Sequence, residues 1–192
     1  QFLDVAIAAG AVAVLWESSP GIAAPRIPAG VVAFAVHDLS RHVGVIADRF
    51  FGSPSAALSV CGITGTNGKT TTAYLLAQTL ESCGEPSAYA GTLGFGRVPA
   101  LRSATHTTPD CVSVHRQIAD AHGLGLRNVV MEVSSHALDQ GRVQAVRFRT
   151  AIFTNLTRDH LDYHQTMEAY CAAKARLLAT PDLEHRVINV GD

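Results

Sequence analysis

A lysine and a run of threonines set among glycines, 62-GITGTNGKTTT-72, is the stretch of this chain best equipped to grip a phosphate. Gly65 and Gly68 allow backbone N–H groups to turn inward, and a helix beginning after them adds its partial positive charge. Lys69 can reach the β and γ phosphates of a nucleotide, and the Thr70 hydroxyl suits a magnesium ion. The spacing departs from the common pattern G-x-x-x-x-G-K-[ST], because Ile63 stands where that pattern has its first glycine. The plain alternative is a tight strand-to-helix turn with an incidental lysine. The run T-G-T-N-G-K-T-T directly after a strand favours nucleotide binding.

Three clusters follow. In 105-THTTPD-110, Thr107 and Thr108 either grip an anionic group or cap a helix that Pro109 opens, and the residues alone favour the cap. In 131-MEVSSHALDQGR-142, Glu132 and Ser134 fall at the end of an expected parallel strand, where ligands gather and an acid can hold magnesium. Ser134, Ser135 and His136 are adjacent and cannot form a hydrolytic triad, and no G-x-S-x-G elbow is present. Gln140 and Arg142 add polar reach beside the plain reading of a solvated surface. In 155-NLTRDHLDYH-164, His160 and His164 stand four apart, but Leu161 occupies the place of a zinc protease's glutamate, so zinc is disfavoured. A single histidine near a phosphate-bound magnesium and a polar loop without ligands both stay open. Lys174 falls on the apolar stripe of a helix expected over 167–178, where snorkelling is the ordinary explanation.

These residues need elements to place them. Strands are expected at 11–16, 31–36, 58–64, 87–90, 128–133, 150–153 and 186–190. Helices are expected at 38–51 with Asp38 as cap, at 69–82 closed by Gly84, at 111–121 and at 167–178. Their alternation implies an α/β fold with a mostly parallel, Rossmann-like sheet covered on both faces. The turn-rich run Gly52, Ser53, Pro54, Ser55 is the expected domain boundary, dividing 1–55 from 56–192.

Composition narrows the function. The 192 residues are 47% hydrophobic with a formal net charge of -1, which offers no basic field for nucleic acid. Four dispersed cysteines form no C-x-x-C pair and read as free buried thiols of a reducing cytoplasm. No apolar run approaches a membrane span. The chain starts at Gln1 and stops after an expected strand, so a fragment of a longer protein is expected.

In this order the clusters resemble the Mur ligases of peptidoglycan synthesis, most closely their MurE type, which adds the third residue of the stem peptide. The resemblance is carried by 64-TGTNGKTTT-72, 106-HTTPD-110, 131-MEVSSHAL-138 with 140-QGR-142, 154-TNLTRDHLDYH-164 and 168-EAYCAAKARL-177. It implies a central P-loop ATPase domain, incomplete here, preceded by part of a smaller α/β UDP-binding domain, with the C-terminal amino-acid-binding domain absent. It implies that Gly65, Thr66, Asn67, Gly68, Lys69, Thr70 and Thr71 bind ATP. Thr107, Thr108, Ser134, Gln140 and Arg142 would then hold the UDP-muramoyl dipeptide. Thr70 and Glu132 would serve a first magnesium ion, and Glu132, His160 and a carbamylated Lys174 a second. For Lys174 the resemblance reverses the preference for snorkelling. His106 stands where some relatives have asparagine and is not counted as a contact.

The implied partners are UDP-MurNAc-dipeptide and an amino acid, meso-diaminopimelate or lysine, and these residues do not decide between the two. Meso-diaminopimelate is expected because it is the commoner substrate of the family, with a lysine-adding MurE variant or another Mur ligase as the alternative. No nucleic acid and no membrane insertion are expected, and the enzyme would be monomeric and cytoplasmic. Folylpolyglutamate synthetase is the rival within the superfamily, but it typically follows its loop lysine with glycine, where Thr70 stands here. A non-catalytic nucleotide- or UDP-sugar-binding regulator is the rival from another class, and the presence of Lys69, Glu132, His160 and Lys174 argues against it.

Overall fold

The computed structural model describes residues 2–191. The chain forms two compact units that part between Val43 and Gly44.

In the first unit a short helix α1 (Phe2–Ala8) precedes a parallel pair, β1 (Ala13–Glu17) and β2 (Val32–Val36), registered from Ala13 opposite Val32 to Glu17 opposite Val36. Both strands were expected; α1 was not. The Glu17 carboxylate accepts the backbone N–H groups of Ser19, Asp38 and Leu39 at 3.0, 3.1 and 2.6 Å. These bonds, with the Ser19 hydroxyl first among them, hold its carboxyl below the usual range. The helix expected over 38–51 is instead divided. A 3-10 turn (Leu39–Arg41) comes first and α2 (Val43–Phe50) follows. Asp38 is not a cap: its backbone is left-handed at φ 50° and its side chain makes no cap bond.

The second unit takes most of α2. An added Cβ on Gly44 would lie 2.5 Å from the Gln144 carbonyl oxygen, so α2 is seated directly on that loop. The units therefore part ahead of the turn at 52–55, which lies inside the second unit.

That unit is built on β3 (Ser59–Thr64), α3 (Lys69–Ser82), β4 (Ser87–Gly91), β5 (Gly94–Gly96), α4 (Cys111–Gly123), β6 (Asn128–Glu132), α5 (Ser135–Asp139), β7 (Thr150–Phe153), α6 (Leu161–His164), α7 (Met167–Leu178) and β8 (His185–Ile188). The sheet order is β5-β4-β6-β3-β7-β8, parallel except for the β4–β5 hairpin. Side chains alternate between its faces, as the period of a strand requires. Val60, Ala88, Val129 and Met131 join the cluster that includes Val114, Ile118 and Leu177 of α4 and α7. Cys61, Ile63, Tyr89 and Val130 join Ala73 and Ala77 of α3 on the other face. Both faces are covered, which is why these strands read as continuous apolar runs.

Gly62 has a packing reason. A Cβ there would come within 2.8 Å of the Phe148 ring and 3.0 Å of Leu177. Apart from α2, each expected strand and helix of this unit forms, with ends displaced by no more than two residues. Of the thiols expected to be buried, Cys61 is, while Cys83 at the C-cap of α3 and Cys171 on α7 are exposed, away from the core. Gly84, at φ 80°, follows the end of α3 as expected. The start of α4 differs: Asp110, not a threonine, caps it by accepting the Ser113 N–H at 3.0 Å, and Pro109 precedes the cap. β5, α5 and α6 were not expected, since three to five residues carry too little periodicity to read.

Candidate functional site

Four strands, β3, β4, β6 and β7, end at one side of the sheet, and their loops bring the sequence clusters together there. The glycine loop is held by the segment after β7. Thr66 N–H donates to the Asn155 carbonyl at 2.9 Å, and Asn67 N–H to the Asn155 side chain at 2.8 Å. Asn67 O accepts from the Thr154 hydroxyl at 2.6 Å and the Asn155 amide at 3.1 Å. Gly65 lies so near Thr154 that a Cβ would run into its hydroxyl, and its φ of 143° suits only glycine. Gly68, at φ 82°, leads into α3, so the helix N-terminus begins at Lys69.

Two lysines converge on this loop. Lys69 Nζ donates to the carbonyls of Gly65 at 2.9 Å and Thr66 at 2.8 Å. Lys174 Nζ, on α7 and 1% exposed, donates to the same Gly65 oxygen at 2.6 Å. It also lies 4.4 Å from the centre of the Tyr170 ring. Snorkelling does not describe this residue. Burial pushes the Lys174 ammonium down to about 7, with Lys69 adding to the effect and Asp159 opposing it. Burial also lowers Lys69, against the pull of Glu132 and Asp159. Tyr170 Oη meets the Thr66 hydroxyl at 3.1 Å, tying α7 to the loop a second time.

Glu132, 1% exposed at the end of β6, is surrounded by donors. Its Oε2 accepts from the Thr70 hydroxyl at 2.8 Å and the Thr92 hydroxyl at 3.3 Å. Its Oε1 accepts from the Tyr89 phenol at 2.5 Å and the Thr92 N–H at 2.9 Å. Thr70 and Glu132 thus form an all-oxygen pair beside the glycine loop, the donor chemistry that magnesium takes up along with phosphate and water oxygens.

The polar arm reaches the same residue by another route. Thr108 Oγ1 donates to the Glu132 carbonyl at 2.8 Å and accepts the Ser134 N–H at 3.2 Å, so it braces a strand end and does not cap a helix. Thr107 and Thr92 hydroxyls lie 3.0 Å apart. Arg142 donates to the Thr108 carbonyl at 2.9 Å and to Gln140 Oε1 at 2.9 and 2.6 Å, which fixes its guanidinium beside Thr107 and Thr108. Ser134 is already engaged, its hydroxyl capping α5 by accepting the Ala137 N–H at 3.1 Å.

His160 is left-handed at φ 52° and exposed, with its ring 4.8 Å from His136 and 6.1 Å from Tyr170 between centres. His164 lies 8% exposed against Tyr170, and its Nε2 has no hydrogen-bond partner. Among the described residues no group of three His, Cys, Asp or Glu side chains is arranged to hold a metal ion. Clefts of about 570 and 630 Å³ lie elsewhere on this unit, and neither is lined by Lys69, Glu132 or Lys174.

Comparison with known proteins gives this arrangement a family. Residues 63–192 match the model of the Mur ligase middle domain. The chain belongs to the Mur ligase family. It is 52% identical over 187 residues to the UDP-N-acetylmuramoyl-L-alanyl-D-glutamate--2,6-diaminopimelate ligase of Ectopseudomonas mendocina, covering 97% of this chain and 38% of that protein. The Pseudomonas aeruginosa ligase of the same name is 50% identical over the same shares. A solved structure of a ligase so named superposes with a TM-score of 0.82 at 36% identity, covering 100% of this chain and 37% of that one. MurF ligase from Thermotoga maritima in complex with ADP superposes at 0.69 with 18% identity, covering 100% of this chain and 40% of that one, a likeness of fold. The chain spans about 38% of the length of the curated relatives it matches.

Within this Mur ligase chain, sequence reasoning passed over Tyr89, Gly91 and Thr92, which surround Glu132, and Tyr170, which touches both the loop and Lys174. The signal for the first three was present: 89-YAGT-92 closes a strand on the ligand-bearing side of the sheet. No helix among the described residues is long and apolar enough to cross a membrane.

Proposed function

We propose that the complete protein is an ATP-dependent amide ligase that adds meso-diaminopimelate to UDP-MurNAc-L-Ala-D-Glu. The observation that carries this reading is the meeting of two elements at one buried residue, Glu132. The glycine loop reaches its carboxylate through Thr70, and the Thr107–Thr108–Arg142 arm reaches its backbone carbonyl and, by way of Thr92, its carboxylate. The printed names of relatives near 50% identity support the substrate and the added residue. Part of the UDP-substrate domain (1–55) and the first part of the ATP-binding domain (56–192) would then be present, in a monomeric cytoplasmic enzyme whose C-terminal domain binds the amino acid.

A carboxylate is a poor electrophile, so it must first be activated. A substrate carboxylate oxygen attacks the γ-phosphorus, ADP leaves, and an acyl phosphate forms. The incoming amine then attacks the acyl carbon, the tetrahedral intermediate collapses, and phosphate departs with the amide made. Gly65, Thr66, Asn67, Gly68 and Thr71 would cradle the nucleotide phosphates, with Lys69 swinging from the Gly65 carbonyl onto the γ-phosphate. Thr107, Thr108, Ser134, Gln140 and Arg142 would orient the muramoyl dipeptide. Thr70 and Glu132 would hold one magnesium ion, and Glu132, His160 and a carbamylated Lys174 a second; the ions supply charge neutralisation on the phosphoryl oxygens.

The deciding experiment is phosphate release by the full-length enzyme with UDP-MurNAc-L-Ala-D-Glu, ATP and diaminopimelate. Release that needs all three supports the reading. Release indifferent to the muramoyl substrate overturns it.

A further inference from the structure

We propose that Tyr89 is a positioning residue for Glu132, fixing Oε1 so that Oε2 alone faces a divalent cation beside Thr70. This rests on the reading that Glu132 serves a metal ion.

A carboxylate offers about four lone-pair sites, and Glu132 divides them unequally in kind. The Oε1 donors are a phenol at 2.5 Å and the backbone N–H of Thr92 at 2.9 Å. One is a buried ring and the other is main chain, so neither turns away without moving the β4–β5 hairpin. The Oε2 donors are the hydroxyls of Thr70 and Thr92, which rotate freely. A hydroxyl carries one proton and two lone pairs. Thr70 can therefore keep its bond to Oε2 while offering a lone pair to the same cation.

The direction of the phenol bond is fixed as well. Tyr89 Oη accepts the Leu93 N–H at 3.2 Å, which leaves its own proton for Glu132. The close approach depends on Gly91. A Cβ there would run into Glu132 Oε1 and lie 2.5 Å from Tyr89 Oη. The ring also has a structural job, packing edge-on to Tyr74 with centres 5.8 Å apart. Tyr89→Phe keeps that ring and removes only the donor.

The test is performed on the full-length enzyme with a fluorescent non-hydrolysable ATP analogue, titrated at graded magnesium and in EDTA. Tyr89→Phe should raise the magnesium needed for half-maximal nucleotide affinity roughly tenfold and leave affinity in EDTA unchanged. Gly91→Ala, which keeps the phenol but crowds the pair, should shift the magnesium requirement the same way. A Tyr89→Phe enzyme with the wild-type magnesium response overturns the proposal, as does an affinity loss equal with and without magnesium. Glu132→Gln separates the layers. If it keeps the wild-type response, the metal reading of Glu132 fails and the proposal with it. If Glu132→Gln loses the response while Tyr89→Phe keeps it, only the positioning role fails.

Discussion

Lys69 and Lys174 donate to one oxygen, the Gly65 carbonyl, at 2.9 and 2.6 Å. Two ammonium groups so close repel each other, and burial already disfavours the charged form of each. Lys174 is buried and Lys69 part-exposed, so in the proposed reaction Lys174 is the one poised to lose its proton and Lys69 the one to leave, toward an arriving phosphate. That division of labour frames the expected behaviour of variants.

Lys69→Ala in the full-length enzyme should lower substrate-dependent phosphate release roughly a hundredfold to a thousandfold, the loss typical of removing one stabiliser of transferring charge. Release kinetics with saturating muramoyl dipeptide measure it. Turnover near the wild-type value would show that the loop does not serve the γ-phosphate.

Lys174 should form a carbamate. Full-length enzyme supplied with carbon-13 bicarbonate should show a carbamate carbon resonance that is missing from Lys174→Ala, and that variant should keep nucleotide affinity while losing most turnover. Equal spectra from the two proteins would reject the modification.

Without bicarbonate, Lys174 should also make stability depend on pH. Its folded value of about 7 lies below the ordinary lysine value of 10.5, so the unfolded chain binds the extra proton between them. Stability contributed by this group therefore rises as pH climbs from about 7 toward 10.5 and is lowest below 7. Denaturant unfolding in carbon-dioxide-free buffer should show that rise in the wild-type protein and a flatter profile in Lys174→Met.

Gly65→Ala should abolish tight nucleotide binding with little loss of fold. The new methyl would strike the Thr154 hydroxyl at a φ of 143°, so the loop must move off the segment that holds it. Calorimetric titration with ADP against thermal unfolding separates the two effects.

Asp110→Ala should destabilise the fold by about 1 kcal/mol, the usual loss for a helix cap whose carboxylate accepts the backbone N–H three residues on. Chemical unfolding measures it, and an unchanged midpoint would return the capping role to another residue.

Much of this was legible in the sequence where local chemistry decides the outcome. The strand, glycine loop and helix around Lys69 form where their residues say, because φ above zero at Gly65 and Gly68 and the apolar run of β3 act over a few residues. Thr108 was misjudged as a helix cap because its partner, the Glu132 carbonyl, is 24 residues away. Asp38 failed as a cap for the same reason, since Glu17, 21 residues earlier, takes up the backbone N–H groups of the turn. Tyr89 reads as an ordinary core aromatic until β4 is laid beside β6, which puts it opposite Val130 and within reach of Glu132.

Gly62 is buried inside the sheet, and it works as a gauge. The Phe148 ring and Leu177 rest where its side chain would be, and one turn earlier than Leu177 on α7 stands Lys174, reaching for Gly65 three residues further along the chain. Strand and helix thus behave as a ruler and a sliding pointer, and the missing methyl sets the pointer's height. Filling that gap would lift α7 outward and withdraw the Lys174 nitrogen from the loop. A change deep in the interior would then surface first as a fault in chemistry, in a protein still folded.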